Sequence, residues 1–84
     1  MRNIDELPDD FSEKLHKQIG QNVKKIRTEK DISQLKLAYL IGYKSVSPIS
    51  SAEIYYKKIH FNIEHLYKIA YVLEVDINEF FKDT

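Results

Sequence analysis

Between Ser33 and Lys58 the chain gathers side chains suited to meeting a polyanion. Gln34, Lys36, Lys44, Lys57 and Lys58 are interleaved with the hydroxyls of Ser45, Ser47, Ser50 and Ser51. Ammonium groups neutralise phosphate charge, and amides and hydroxyls bond to phosphate oxygens or base edges. Val46 offers an apolar contact for a thymine methyl, and Tyr55 adds a ring with a polar tip. Serine is a weak reader of bases because its hydroxyl both donates and accepts. The alternatives are bland: helix capping for Ser45 and Ser47, and a solvated surface for each lysine. Other chemistry is poorly represented. No serine–histidine–acid set, paired-carboxylate motif or glycine-rich phosphate loop occurs. His16, His60 and His65 lack metal-ligand spacing and no cysteine joins them, so we expect no metal, no cofactor and no enzyme activity.

Positioning that cluster requires two short helices. In SQLKLAYLIGYKSVSPISSAE, residues 33–53, Ser33 can cap a helix carrying Leu35, Leu37, Ala38, Leu40 and Ile41. Gly42 breaks it. Ser45 or Ser47 can cap the next helix, with Pro48 in its first turn. Two short helices around a glycine turn are the layout of a helix-turn-helix, whose second helix enters the DNA major groove. Periodicity turns Ile49, Ala52 and Tyr56 inward and leaves Ser47, Ser50, Ser51 and Ile54 outward.

The remaining elements frame this pair. A first helix over about residues 10–30 has the stripe Phe11, Leu15, Ile19, Val23 and Ile26. The middle helices cover about 34–41 and 48–56. Asn62 can cap a fourth, turning Ile63, Leu66, Ile69, Ala70 and Leu73 inward. Asp76 and Glu79 suggest a capping box for a short fifth helix with Ile77, Phe80 and Phe81, and Val75 stapled to Phe80. The expected fold is therefore all-α with five helices, an acidic arm at residues 1–9 and one domain over 10–84.

A net charge of zero conceals segregation. Residues 1–13 carry one base against five acids, −4; residues 14–68 carry eleven bases against four acids, +7; residues 69–84 carry one base against four acids, −3. The basic stretch contains the helix pair, and local charge sets an electrostatic footprint. The absence of cysteine fits a reducing compartment. No apolar run approaches the ~20 residues of a membrane span, and no secretory signal core is present, so we expect no membrane contact and a cytoplasmic location.

From Ile19 to Phe81, about three quarters of the chain, the sequence resembles the Cro and phage-repressor type of helix-turn-helix domain, the XRE family. The resemblance is carried, in order, by Ile19-Gly20, Val23 to Arg27, Ile32-Ser33-Gln34, Leu37-Ala38 and Gly42. It continues through Ile49-Ser50, Glu53, Leu66 to Ala70, Leu73-Glu74-Val75 and Phe80-Phe81. It implies a lambda-repressor-like fold in bacteria or phage, with Gln34 at a DNA phosphate while bracing the recognition helix. It also implies an Arg27–Glu53 salt bridge tying the first helix to the third, and dimerisation through the C-terminal segment, where Ile77, Phe80 and Phe81 stand. For Phe80 and Phe81 the alternative is closure of the monomer core. Three positions depart from the family: Tyr55 replaces a glycine, Phe61 stands near the place of a proline, and the loop from Glu53 to Ile63 is about two residues longer.

These readings make the chain a sequence-specific transcriptional regulator binding double-stranded DNA as a homodimer. The competing reading is a protein-interaction module, such as an antitoxin, whose acidic arm and exposed aromatics engage a protein partner. That reading draws on the lack of Arg, Asn or Gln on the outward face of the second short helix, and on six tyrosines that cannot all be interior.

Overall fold

The computed structural model describes residues 1–83. Its four α-helices are α1 (Phe11–Glu29), α2 (Gln34–Leu40), α3 (Ser47–Ile54) and α4 (Ile63–Leu73). Short 3-10 turns occupy Ile4–Glu6, Tyr56–Lys58 and Ile77–Phe81, and no strand occurs among the described residues. The chain is thus all-α. The expected fifth α-helix is instead a 3-10 turn: Asp76 bonds the nearby Asn78 N–H at 2.8 Å, and Glu79 pairs with Lys82 and not back to the cap. No described helix is long and apolar enough to cross a membrane.

The core collects one face of each helix. Ile19 and Val23 of α1 meet Leu37 and Ala38 of α2, Ile49 and Ala52 of α3, and Leu66, Ile69 and Leu73 of α4. Phe61 is buried among them and serves as a core plug ahead of α4. Phe80, at 0% exposure, closes the base of the core. Two sequence expectations fail at the edges. Ile63 is exposed because it lies on the same side of α4 as Tyr67 and Tyr71, off the face that Leu66, Ile69, Ala70 and Leu73 bury. Phe11 and Leu15 are exposed because α1, about 28 Å long at 1.5 Å per residue, overhangs the core with its first two turns.

Helix ends are satisfied in detail. Ser33 Oγ accepts from the Lys36 N–H at 3.0 Å. Asn62 Oδ1 accepts from the His65 N–H at 2.7 Å, while His65 Nδ1 accepts from the Asn62 N–H at 3.3 Å, a capping box with histidine in the usual place of glutamate. Helices α1, α2 and α4 each end in a paired 6→1 and 5→2 backbone arrangement around Asp31, Gly42 and Glu74. All three residues have positive φ, yet only Gly42 is a glycine, so Asp31 and Glu74 hold a left-handed conformation costing about 1–2 kcal/mol. Gly42 has open space around its missing Cβ, so its φ of +99° and not crowding selects glycine.

Candidate nucleic-acid interface

Helix α3 is held from behind by a buried polar lock. Glu53 is only 2% exposed. Its carboxylate accepts from Arg27 Nε at 2.8 Å and Nη2 at 3.0 Å, a bidentate pair, and from Gln34 Nε2 at 2.8 Å. Arg27 Nη1 also donates to the Ile32 carbonyl at 2.8 Å. One carboxylate therefore joins α1, the start of α2 and α3. Gln34 spends one of its two amide N–H groups on this lock. A Cβ on Gly20 would lie 2.4 Å from the Glu53 carbonyl oxygen and 2.7 Å from that of Ala52, so α1 and α3 touch backbone to backbone.

The other side of α3 is open. Ser45, Ser47 and Val46 are exposed, Ser50 and Ser51 are half-buried, and Ile54 is exposed. Neither Ser45 nor Ser47 caps the helix: Val46 holds the cap position in helical conformation without a side-chain bond, and Ser47 is already inside the first turn. At the far end, Tyr55 stands left-handed at φ 58°, which stops α3 two residues before the predicted boundary and throws Tyr56 outward instead of inward. Lys57 and Lys58 also have positive φ, so the loop after α3 is tightly folded back.

Lys36, Lys44, Lys57 and Lys58 are all exposed and, like Lys24, Lys25 and Lys30 elsewhere, take part in no ion pair among the described residues, while Lys14, Lys17, Lys68 and Lys82 each have one. They border α3 from α2, from the intervening turn and from the loop beyond. Their surroundings differ, however. Lys57 and Lys58 line a groove whose other wall includes Asp9, Asp10 and Glu13 from the head of α1. The positive potential at that end is partly cancelled, so Lys36 and Lys44 are the cleaner cationic positions.

Tyr55 is half-buried and its ring packs over His16, with centroids 5.7 Å apart. His16 in turn stacks on His60 at 3.9 Å. The ring is engaged within the protein, so a free base-reading role for Tyr55 does not fit its placement. Burial first, and then the charge of His60, hold the His16 imidazole below its ordinary range. His65 is also lowered, first by burial, then by Lys68, with Glu64 pulling the other way and His60 adding to the lowering. Because His65 Nδ1 accepts a bond, its neutral ring carries the proton on Nε2, 2.5 Å from the Tyr43 hydroxyl oxygen.

Of the expected dimer residues, Phe80 lies wholly within the chain's own core, so it cannot meet a second chain. Ile77 is half-buried and Phe81 exposed. Sequence reasoning passed over the residues that fasten this segment. Asn22 Nδ2 donates to the Phe80 and Lys82 carbonyls at 2.9 and 2.7 Å, and Gln18 Nε2 donates to the Lys82 carbonyl at 2.7 Å. Their spacing of four on α1 was the available signal, but polar residues there read equally well as a solvated edge. No three His, Cys, Asp or Glu side chains among the described residues are grouped to hold a metal ion. No family model and no curated protein matches the chain, so the resemblance rests on the residues that carry it.

Proposed function

We propose that this chain is a DNA-binding transcriptional regulator of helix-turn-helix type, with α2 crossing the phosphate backbone and α3 entering the major groove. The observation that carries the reading is the two-sidedness of α3. Its inner side is locked by Glu53 to Arg27 and Gln34, while its outer side stays open between unpaired lysines. Lys36 and Lys44 contact phosphates; Val46, Ser47, Ser50, Ser51 and Ile54 meet base edges and thymine methyls. Readout on this reading leans on apolar contacts and DNA shape more than on bidentate hydrogen bonds. A dimer reads two half-sites about 34 Å apart, one turn of duplex. The domain over residues 10–84 and the acidic arm before it act in a bacterial or phage cytoplasm.

Selection of duplexes from a random pool tests this reading, with a palindromic consensus as the expected result. The selected duplex should lose affinity with salt at a log–log slope of about −0.9 per phosphate contacted. Lys44→Ala should reduce that slope by about one contact. A second reading, an antitoxin-like module that binds a protein, is favoured by the acids facing Lys57 and Lys58 and by the exposure of Ile54. No duplex retained at ~50 mM salt would transfer the assignment to it.

A further inference from the structure

The outer side of α4 carries an apolar line with nothing on it. Ile63, Tyr67 and Tyr71, spaced by four, are 69%, 67% and 77% exposed. Leu40 at the end of α2 borders Tyr67 and Tyr71 across a shallow groove, widening the apolar area. Solvated helices place such residues singly; three on one line with a neighbour mark an interaction surface. Glu64 and Lys68 run beside the line, loosely paired at 3.9 Å and both well exposed.

We infer that this face is where two copies of the chain meet, α4 packed antiparallel on α4 about a two-fold axis near Tyr67. The pattern is self-complementary under that operation. Residue 67 meets residue 67 of the other copy, and residue 63 meets residue 71, so each isoleucine packs on a tyrosine. The same operation keeps Glu64 and Lys68 on one side of the seam, and it brings each Glu64 within reach of the other copy's Lys68. Two equivalent ion pairs replace the loose pair within one helix. Tyrosine at the centre with charges at the rim is the usual anatomy of an interface. Four apolar residues a side make a patch below the ~1,200 Å² of stable complexes, so association is expected only at ~10–500 µM. The inference extends the dimer of the proposed function, but it is tested without DNA, so either can fail while the other stands.

The experiment is sedimentation equilibrium of the full chain and its variants. The wild type should pass from monomer to dimer across that concentration range. Glu64→Lys and Lys68→Glu each put like charges across the seam twice, and each should weaken self-association about tenfold. An equimolar mixture of these two variants should recover it, because both cross-seam pairs are then of opposite sign while each helix keeps its own like-charge pair. Tyr67→Glu should leave a folded monomer, and Phe81→Ser should leave the dimer intact. A wild type monomeric at ~500 µM overturns the inference. So does a mixture no stronger than its components, or loss of the dimer on Phe81→Ser or on deletion of residues 1–9 in place of Tyr67→Glu.

Discussion

Glu53 and Arg27 are worth more together than apart. Removing either leaves the other charged, buried and unpaired, at a cost of about 3–5 kcal/mol. Glu53→Ala and Arg27→Ala should each destabilise by that order, and the double variant should fall well short of their sum. Urea melts of the four proteins measure the coupling; simple additivity would mean the two side chains do not act as a unit. The histidines act differently. His16 is lowered in the folded chain, so between its folded value and its ordinary ~6.5 the unfolded chain binds more protons. Its contribution to stability is full above about pH 6.5 and is lost as pH falls through the folded value. His16→Phe keeps a ring on His60 and removes the titration, so its Tm should drop less than wild type between pH 7.5 and 5.5. Parallel Tm curves for the two proteins would rule this out. At this scale the sequence was uneven. Arg27 and Glu53 stood out only through the family resemblance, because a charge 26 positions from its partner leaves no periodic trace. The His16–Tyr55–His60 stack left none either, and the spacing of Gln18 and Asn22 by four reads equally well as a solvated edge.

Helix positions followed from periodicity because a core that needs one apolar face per helix imposes it. Helix ends were less legible. Serines at 45 and 47 look like caps, yet Val46 holds the cap position and α3 starts at Ser47, with Pro48 in its first turn. The end of α3 was misplaced because nothing in the residue type of Tyr55 announces a left-handed conformation. Gly20 is the opposite case, a glycine whose necessity shows only in three dimensions. Gly20→Ala gains about 1 kcal/mol of helix propensity, but drives a methyl into the Glu53 and Ala52 carbonyls. We expect a net loss of about 1–3 kcal/mol, lowering Tm by about 4–8 °C for each. An unchanged or higher Tm would show that α1 and α3 can slide apart at little cost.

Across the molecule, charge is arranged by segment and the fold brings opposite segments together. Asp9, Asp10 and Glu13 face Lys57 and Lys58 across one groove, and all of residues 1–10 are exposed. The separation of charges is legible along the chain but this meeting is not, because it depends on how far α1 overhangs the core and how tightly the loop after α3 turns back. If the arm competes with phosphates for those lysines, deleting residues 1–9 should tighten non-specific duplex binding at low salt. The gain should fade as salt screens both interactions beyond a Debye length of about 10 Å at 0.1 M. Equal affinity of the two proteins at low salt would remove the arm from the account.

The backbone contact at Gly20 bears on how this protein changes over time. Besides Ile49 and Ala52 in the core, α3 is seated by its backbone contact at Gly20 and by one inward glutamate, and its exposed residues Ser47 and Ile54 lie outside that seating. Exchanges at Ser47 and Ile54 are thus free to alter the surface the rod presents without loosening its socket. The character of this surface can drift while the scaffold behind stays fixed.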